Sequence, residues 1–200
     1  MSDPERAKLG ARFEEALTRA SQLHATQKKK GTEVPYVAHL LGVTSIVLED
    51  GGDEDHAIAA LLHDAIEDQG LEESEIERRF GARVREIVVG CTDAFEQPKP
   101  PWRARKEKYL AHLRDASEDV LRVSAADKLH NARQIVADVR HLGPVVWERF
   151  KGGREGSLWY YRSLAEIFRV RRPGPLTAEL CRVVAEMERI SAEACPASDN

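Results

Sequence analysis

Nothing in the chain approaches the roughly 18 consecutive apolar residues that a membrane-spanning helix requires. The opening residues, MSDPERAKLG, lack the apolar centre of a signal peptide. Cysteine is scarce: Cys91, Cys181 and Cys195 are scattered, with no CxxC pair. An odd, dispersed set gives no disulfide framework and suits a reducing cytoplasm, so a cytosolic protein is expected. There is no GxxxxGK[ST] phosphate loop, no internal repeat and no low-complexity tract. Positive charge is not in excess either. With 30 Lys and Arg against 34 Asp and Glu, the formal net charge is −4, which argues against nucleic acid as a partner. Neither nucleic acid nor membrane is an expected partner, and oligomeric state is not legible.

What is present is an ordinary globular balance. Hydrophobic residues make up 42% of 200 and charged residues 32%, enough for one domain, 1–200, with a substantial core. The apolar spacing is helical almost throughout. Leu9, Phe13 and Leu17 recur every four residues with Ala16 and Ala20 alongside, and the polar stretch 28–33 follows. Pro35 suits the first turn of a second helix running through Leu40, Val43 and Val47 to Gly51 and Gly52. A third helix, 54–68, is apolar over most of its circumference and should be central to the core.

Shorter helices are expected at 72–80 and 82–91, on either side of Gly81. Three prolines within 98–101 break the pattern. Helices at 102–115, 118–141 and 156–170 follow, the middle one stopping at Gly143 and Pro144. The run from Arg171 to Pro175 reads as a stiff connector, and Leu176, Leu180, Val183, Val184, Met187 and Ile190 define a last helix at about 176–194. The reading is all-α: a single helical bundle with a core at about 10–170.

Three segments carry chemistry. Leu61-Leu62-His63-Asp64-Ala65-Ile66-Glu67-Asp68 projects four ionisable groups from the end of an apolar helix, with His63 over Glu67 and Asp64 over Asp68 at four-residue spacing. Buried charges left unpaired cost several kcal/mol each, roughly, so a partner such as a divalent cation is required unless this helix end is solvated. Asp127 sits in Ala125-Ala126-Asp127-Lys128-Leu129-His130-Asn131, where burial disfavours a carboxylate, and Asn131 repeats the polarity one turn later. A hydrogen-bonded polar pair inside the bundle accounts for these two equally. His39, in Pro35-Tyr36-Val37-Ala38-His39-Leu40, reads by itself as a structural histidine. Taken together, two imidazoles and two carboxylates suit Mn²⁺, Fe²⁺ or Zn²⁺. Glu67 and Asp68 are surplus to such coordination and are placed to orient a water and move its proton.

In these residues the chain resembles the HD-superfamily phosphohydrolases. Within them it is similar to the hydrolase half of the Rel/SpoT alarmone enzymes and to the small alarmone hydrolases. The likeness runs through Lys28-Lys29-Lys30-Gly31, Pro35-Tyr36-Val37-Ala38-His39 and Ala59-Ala60-Leu61-Leu62-His63-Asp64-Ala65-Ile66-Glu67-Asp68. It continues through Phe80-Gly81-Ala82-Arg83-Val84, Cys91-Thr92-Asp93 and Ala126-Asp127-Lys128-Leu129-His130-Asn131, in the family's order over about 10–170. The resemblance implies an all-α HD-type fold and Mn²⁺-dependent removal of the 3′-pyrophosphate from guanosine tetra- or pentaphosphate. It implies His39, His63, Asp64 and Asp127 as metal ligands and Glu67 and Asp68 as the catalytic pair. It also implies Lys29, Lys30, Asn131 and Tyr160 at the nucleotide. With no synthetase half among the 200 residues, degradation rather than synthesis is the expectation.

The chain departs from the family in having Lys29-Lys30 for Arg-Lys and His39-Leu40 for His-Pro. Lysine lacks the planar fork of arginine, so guanine or phosphate recognition differs there. The basic stretch 96–109 reads either as a phosphate-clamping lid or as a surface helix. Two rival functions remain: an HD phosphatase acting on an NADPH-type nucleotide or a nucleoside monophosphate, and a non-catalytic metal-containing nucleotide-binding module. A pure binder would have no use for the Glu67-Asp68 pair.

Overall fold

The apolar run Ala57-Ile58-Ala59-Ala60-Leu61-Leu62 becomes a helix buried on every side, and the elements around it are arranged to cover it. The computed structural model describes residues 9–93 and 98–193. Cys195, Ala194 at the end of the last expected helix, and Glu96 and Gln97 at the head of the basic stretch lie outside the described residues. Among those described there are ten α-helices and no strand. They are α1 (Ala11–Leu23), α2 (Val37–Glu49), α3 (Glu54–Leu62), α4 (Ala65–Gln69), α5 (Glu73–Phe80), α6 (Ala82–Cys91), α7 (Trp102–Asp115), α8 (Glu118–Leu142), α9 (Gly153–Arg171) and α10 (Pro175–Glu193). A 3₁₀ helix, Gly143–Arg149, occupies the segment where the sequence shows only a stop.

The described residues fall into two units, one of 9–93, 98–100 and 116–127, the other of 101–115 and 128–193. In the first unit α3 packs against α1, α2 and α6, and α5 packs on α6. Ile58, Leu61 and Leu62 are fully buried, each contributing about 1.5–3 kcal/mol relative to exposure. Asp53 starts α3 by accepting from the His56 backbone N–H, one of the orphan donors of the first turn. Asp53 and Asp119 both pair with Arg83 and His56, which ties this cap to α6 and α8. Gly90 is where α6 meets α8: a Cβ there would lie 2.4 Å from a Val120 methyl.

In the second unit α9 packs against α7, α10 and the 3₁₀ helix. Trp102 lies on the bare backbone of Gly152, where a Cβ would come within 2.6 Å of the indole. The Arg103 guanidinium stacks over Trp159, 3.3 Å from the ring centroid. The described part of the basic stretch is therefore proline-bounded chain followed by a packed helix.

Two expectations need correction. Leu9 precedes α1 and is exposed, so the buried edge of that helix is Ala16 and Ala20. The helix expected over 54–68 is broken: α3 ends at Leu62 and α4 begins at Ala65, with His63 and Asp64 in the turn between them. Neighbouring residues of a regular helix point about 100° apart. The break lets two consecutive side chains turn to one point, His63 Nε2 and Asp64 Oδ2 lying 3.0 Å apart.

Candidate metal centre

His39 lies one turn inside α2 and is buried, as is His63 at the end of α3. The two Nε2 atoms are 3.3 Å apart. Asp127, buried among Ser124, Ala125 and Ala126 on α8, brings Oδ1 to 3.3 Å from His39 Nε2 and 3.7 Å from His63 Nε2. Asp64 Oδ2 is 3.8 Å from His39 Nε2. Side chains 88 residues apart in the chain (39 to 127) thus converge on one point.

The donors are aimed as ligands must be. His63 Nδ1 donates to the Ala60 carbonyl at 2.8 Å, which leaves the lone pair on Nε2, facing His39 and both carboxylates. The Tyr36 hydroxyl donates to Asp64 Oδ2. Burial and the neighbouring Asp64 charge push that hydroxyl far above the usual phenol range, so it remains a donor. Burial opposes a charge on His63, but Asp64 and Asp127 outweigh it and raise its pKa well above the ordinary value. Burial likewise opposes ionisation of Asp64, and His63 overcomes it, holding this carboxyl below the usual range. The pocket thus favours positive charge.

Ligands on one cation at about 2.1 Å stand about 3.0–3.4 Å apart in octahedral or tetrahedral geometry. The separations measured from the two imidazole nitrogens, 3.0 to 3.8 Å, sit at or just above that range, and among the described residues His39, His63 and Asp64 bring donors within 4.8 Å of one another. The two carboxylates bring a charge of −2 to the cluster, which a divalent cation in place of the imidazole protons would balance. The residues present fit such an ion, with Mn²⁺, Fe²⁺ and Zn²⁺ all compatible with the mixed nitrogen and oxygen set.

Beside the four ligand candidates stand two acids on the short helix α4. Glu67 Oε2 accepts from the Asp93 backbone N–H at 3.3 Å, and its Oε1 accepts from Lys99 Nζ at 2.8 Å. Asp68 Oδ1 is 3.9 Å from the same Lys99 nitrogen, and Oδ2 accepts from Gln27 Nε2 at 2.8 Å. Burial, followed by the charge of Asp64, raises the pKa of Asp68. That shift moves a carboxyl toward the range useful in proton transfer near neutrality.

Of the remaining sequence candidates, Lys29 and Lys30 lie in the turn between α1 and α2, with the Lys29 backbone bonded to Val34 and Thr32. Asn131 on α8 and Tyr160 on α9 belong to the second unit. Tyr160 is buried there against Trp102 and Tyr161, with Lys106 Nζ 4.8 Å from its ring centroid. Sequence reasoning missed four contributors. Tyr36 stands in a motif but is given no role by it, although it sits three residues before His39 and the two rings lie 5.3 Å apart. His24 and Gln27, at helical spacing, offered a similar signal. Lys99 lies between prolines, where no periodicity marks it.

The HD domain family model matches residues 16–158. The chain is similar to guanosine-3′,5′-bis(diphosphate) 3′-pyrophosphohydrolase MESH1 of Xenopus tropicalis, 39% identical over 136 residues that make up 66% of this chain and 72% of that protein. The Homo sapiens protein of the same name is 34% identical over 144 residues, 70% of this chain and 76% of its own length. Among solved structures, one of a metazoan ortholog of SpoT that hydrolyzes ppGpp and plays a role in starvation responses matches with a TM-score of 0.75. Its sequence identity is 26%, and the match covers 90% of this chain and 97% of the other. With His39, His63 and Asp127 buried beside a half-buried Asp64 and with a family model matched over most of its length, the chain belongs to the HD domain family.

Proposed function

We propose that this protein is a metal-dependent phosphohydrolase that removes the 3′-pyrophosphate from guanosine tetra- or pentaphosphate, with Mn²⁺ as its metal. The observation that carries the reading is the convergence of His39, His63, Asp64 and Asp127 beside two further acids, Glu67 and Asp68. Relatives named for this activity support the choice of substrate. A divalent cation in this ligand set would lower the pKa of a water and offset charge on the phosphate.

The protein's own groups account for the rest. His39 and His63 would offer their Nε2 atoms to the cation, and Asp64, fixed by Tyr36, would complete the ligand set with Asp127. Glu67 and Asp68 orient the attacking water and take its proton. The water oxygen forms a bond to the phosphorus attached at the 3′ position, and the bond from that phosphorus to the 3′ oxygen breaks. Pyrophosphate leaves, and the 3′ oxygen gains a proton. Lys29 and Lys30 are assigned to the phosphates or the base. The parts assigned to Asn131 and Tyr160 rest on the family resemblance. The cytosol is the proposed location, consistent with scattered cysteines, and among the described residues no helix is long and apolar enough to cross a membrane.

The test is a substrate panel on purified protein: guanosine tetraphosphate, NADPH and nucleoside monophosphates, with Mn²⁺ or with chelator. Pyrophosphate release from the tetraphosphate, lost on chelation, is expected. In the Glu67→Gln/Asp68→Asn double variant, metal content should persist while turnover disappears. Absence of pyrophosphate release overturns the substrate assignment, and turnover that survives in the double variant overturns the roles given to the acids.

A further inference from the structure

We infer that Gln27 is a positioning residue for catalysis, clamping Asp68 so that one chosen carboxylate oxygen is left for the reacting water, and that His24 and Gln69 set the clamp. This rests on the hydrolase reading above. Gln27 lies in the turn after α1, with both main-chain groups engaged: its N–H donates to the His24 carbonyl at 3.1 Å and its carbonyl accepts from Tyr36 N–H at 2.9 Å. The backbone is thus pinned to the segment that supplies Tyr36 and His39. From this anchor the side-chain amide reaches across 41 residues of sequence to Asp68 Oδ2 at 2.8 Å.

An amide has two ends, and only one suits a carboxylate. Nε2 donates, whereas Oε1 turned toward Asp68 would set two acceptors against each other. Gln27 Oε1 is held away by two donors, Gln69 Nε2 at 2.5 Å and His24 Nδ1 at 2.6 Å. A longer contact, Gln69 Nε2 to His24 Nδ1 at 3.4 Å, competes for the same ring nitrogen. The shorter bond decides, so Nδ1 carries the proton. His24 is buried, its ring stacked on Tyr36 at 5.2 Å, which holds it against the amide. The chain of bonds therefore runs His24 to Gln27 to Asp68, with every donor facing an acceptor.

The consequence falls on Asp68. Oδ2 is occupied by Gln27, while Oδ1 stands 3.9 Å from the Lys99 nitrogen that also holds Glu67. The clamp leaves Oδ1 on the side shared with Glu67, so the two acids address one water. Gln27 touches none of the ligand candidates through its side chain, and its loss should affect the chemical step rather than metal or substrate binding.

The experiment uses the full-length Mn²⁺-loaded protein and guanosine tetraphosphate, with kcat, KM, metal content and thermal unfolding measured for each variant. Gln27→Ala should lower kcat about 10- to 100-fold, as loss of a supporting hydrogen bond around a metal site typically does, with KM and metal content unchanged. Gln27→Glu should be impaired at least as much, because a carboxylate repels Asp68 instead of donating to it. His24→Leu removes one of the two donors on Gln27 Oε1, which weakens the hold on the amide and should also lower kcat. His24→Asn keeps an N–H near the position of Nδ1 and should restore most of the loss. Unchanged kcat in Gln27→Ala, or a loss matched by lost metal or raised KM, overturns this assignment while an active wild type keeps the hydrolase reading. Equal activities in His24→Leu and His24→Asn overturn the part given to His24, and this pair decides the question if Gln27→Ala does not fold. An inactive wild type overturns the hydrolase reading and this assignment together.

Discussion

Replacing Asp127 with alanine removes one of the two carboxylates that face the paired imidazoles, and the effect should appear as a loss of metal-linked stability. A ligand that binds only the folded chain stabilises it by about 2.7 kcal/mol at a free concentration 100 times Kd. For a chain of 200 residues each kcal/mol moves Tm by about 2–4 °C, so Mn²⁺ at that concentration should raise Tm by about 5–11 °C over the chelated protein. Asp127 is only 6% exposed and 3.3 Å from His39 Nε2, so its truncation removes a carboxylate from the buried side of the cluster. If its loss weakens binding about 100-fold, the free metal falls to roughly Kd and the stabilisation to about 0.4 kcal/mol, near 1 °C. In chelator the variant loses the attraction of Asp127 for His63 but also its repulsion of Asp64, so the change there should be smaller than the metal-linked loss. Thermal unfolding followed by circular dichroism, with Mn²⁺ and with EDTA, measures all four values. A wild type whose Tm ignores Mn²⁺, or an Asp127→Ala variant that keeps the whole shift, refutes the reasoning.

Arg83→Met should move the acid-unfolding midpoint to higher pH. Arg83 holds Asp119 below the usual carboxylate range, and with His56 it holds Asp53 low against the opposing effect of burial; such stability is present above about pH 4 and lost as the pH falls through the lowered values, so an unchanged midpoint in a pH titration counts against it. Gly90→Ala should lower Tm, because crowding Val120 at 2.4 Å costs about 1–3 kcal/mol while the gain in helix propensity returns about 1. Val120→Ala in the same chain should recover part of the loss, and a rise in Tm for Gly90→Ala alone contradicts the packing argument.

Much of this was legible in the sequence because the physics is local. Apolar residues at helical spacing in Ile58, Leu61 and Leu62 announce a buried rod, and Gly81 marks the step between α5 and α6. Asp127 stood out for being a carboxylate in an alanine-rich stretch. What the spacing concealed was the break at His63 and Asp64. Nothing in helix propensity forbids continuing through them, and the turn brings them to His39 and Asp127, which are remote in sequence. The supporting bonds of Tyr36, Gln27 and Lys99 are equally non-local, each joining residues 28 or more positions apart. Pattern reading follows one chain segment at a time and does not register such ties.

The interruption between α3 and α4 sets a buried imidazole and two acids on different helices, with Asp64 at the join. The imidazole of His63 ends a rod sealed in the interior, whereas Glu67 and Asp68 ride on a single five-residue coil that closes on a left-handed glycine. On the roles proposed above, loss of Glu67 and Asp68 alone would end turnover while His39, His63, Asp64 and Asp127 remain in place. A short mutational path therefore leads from such a hydrolase to a receptor that captures its ion and performs no chemistry.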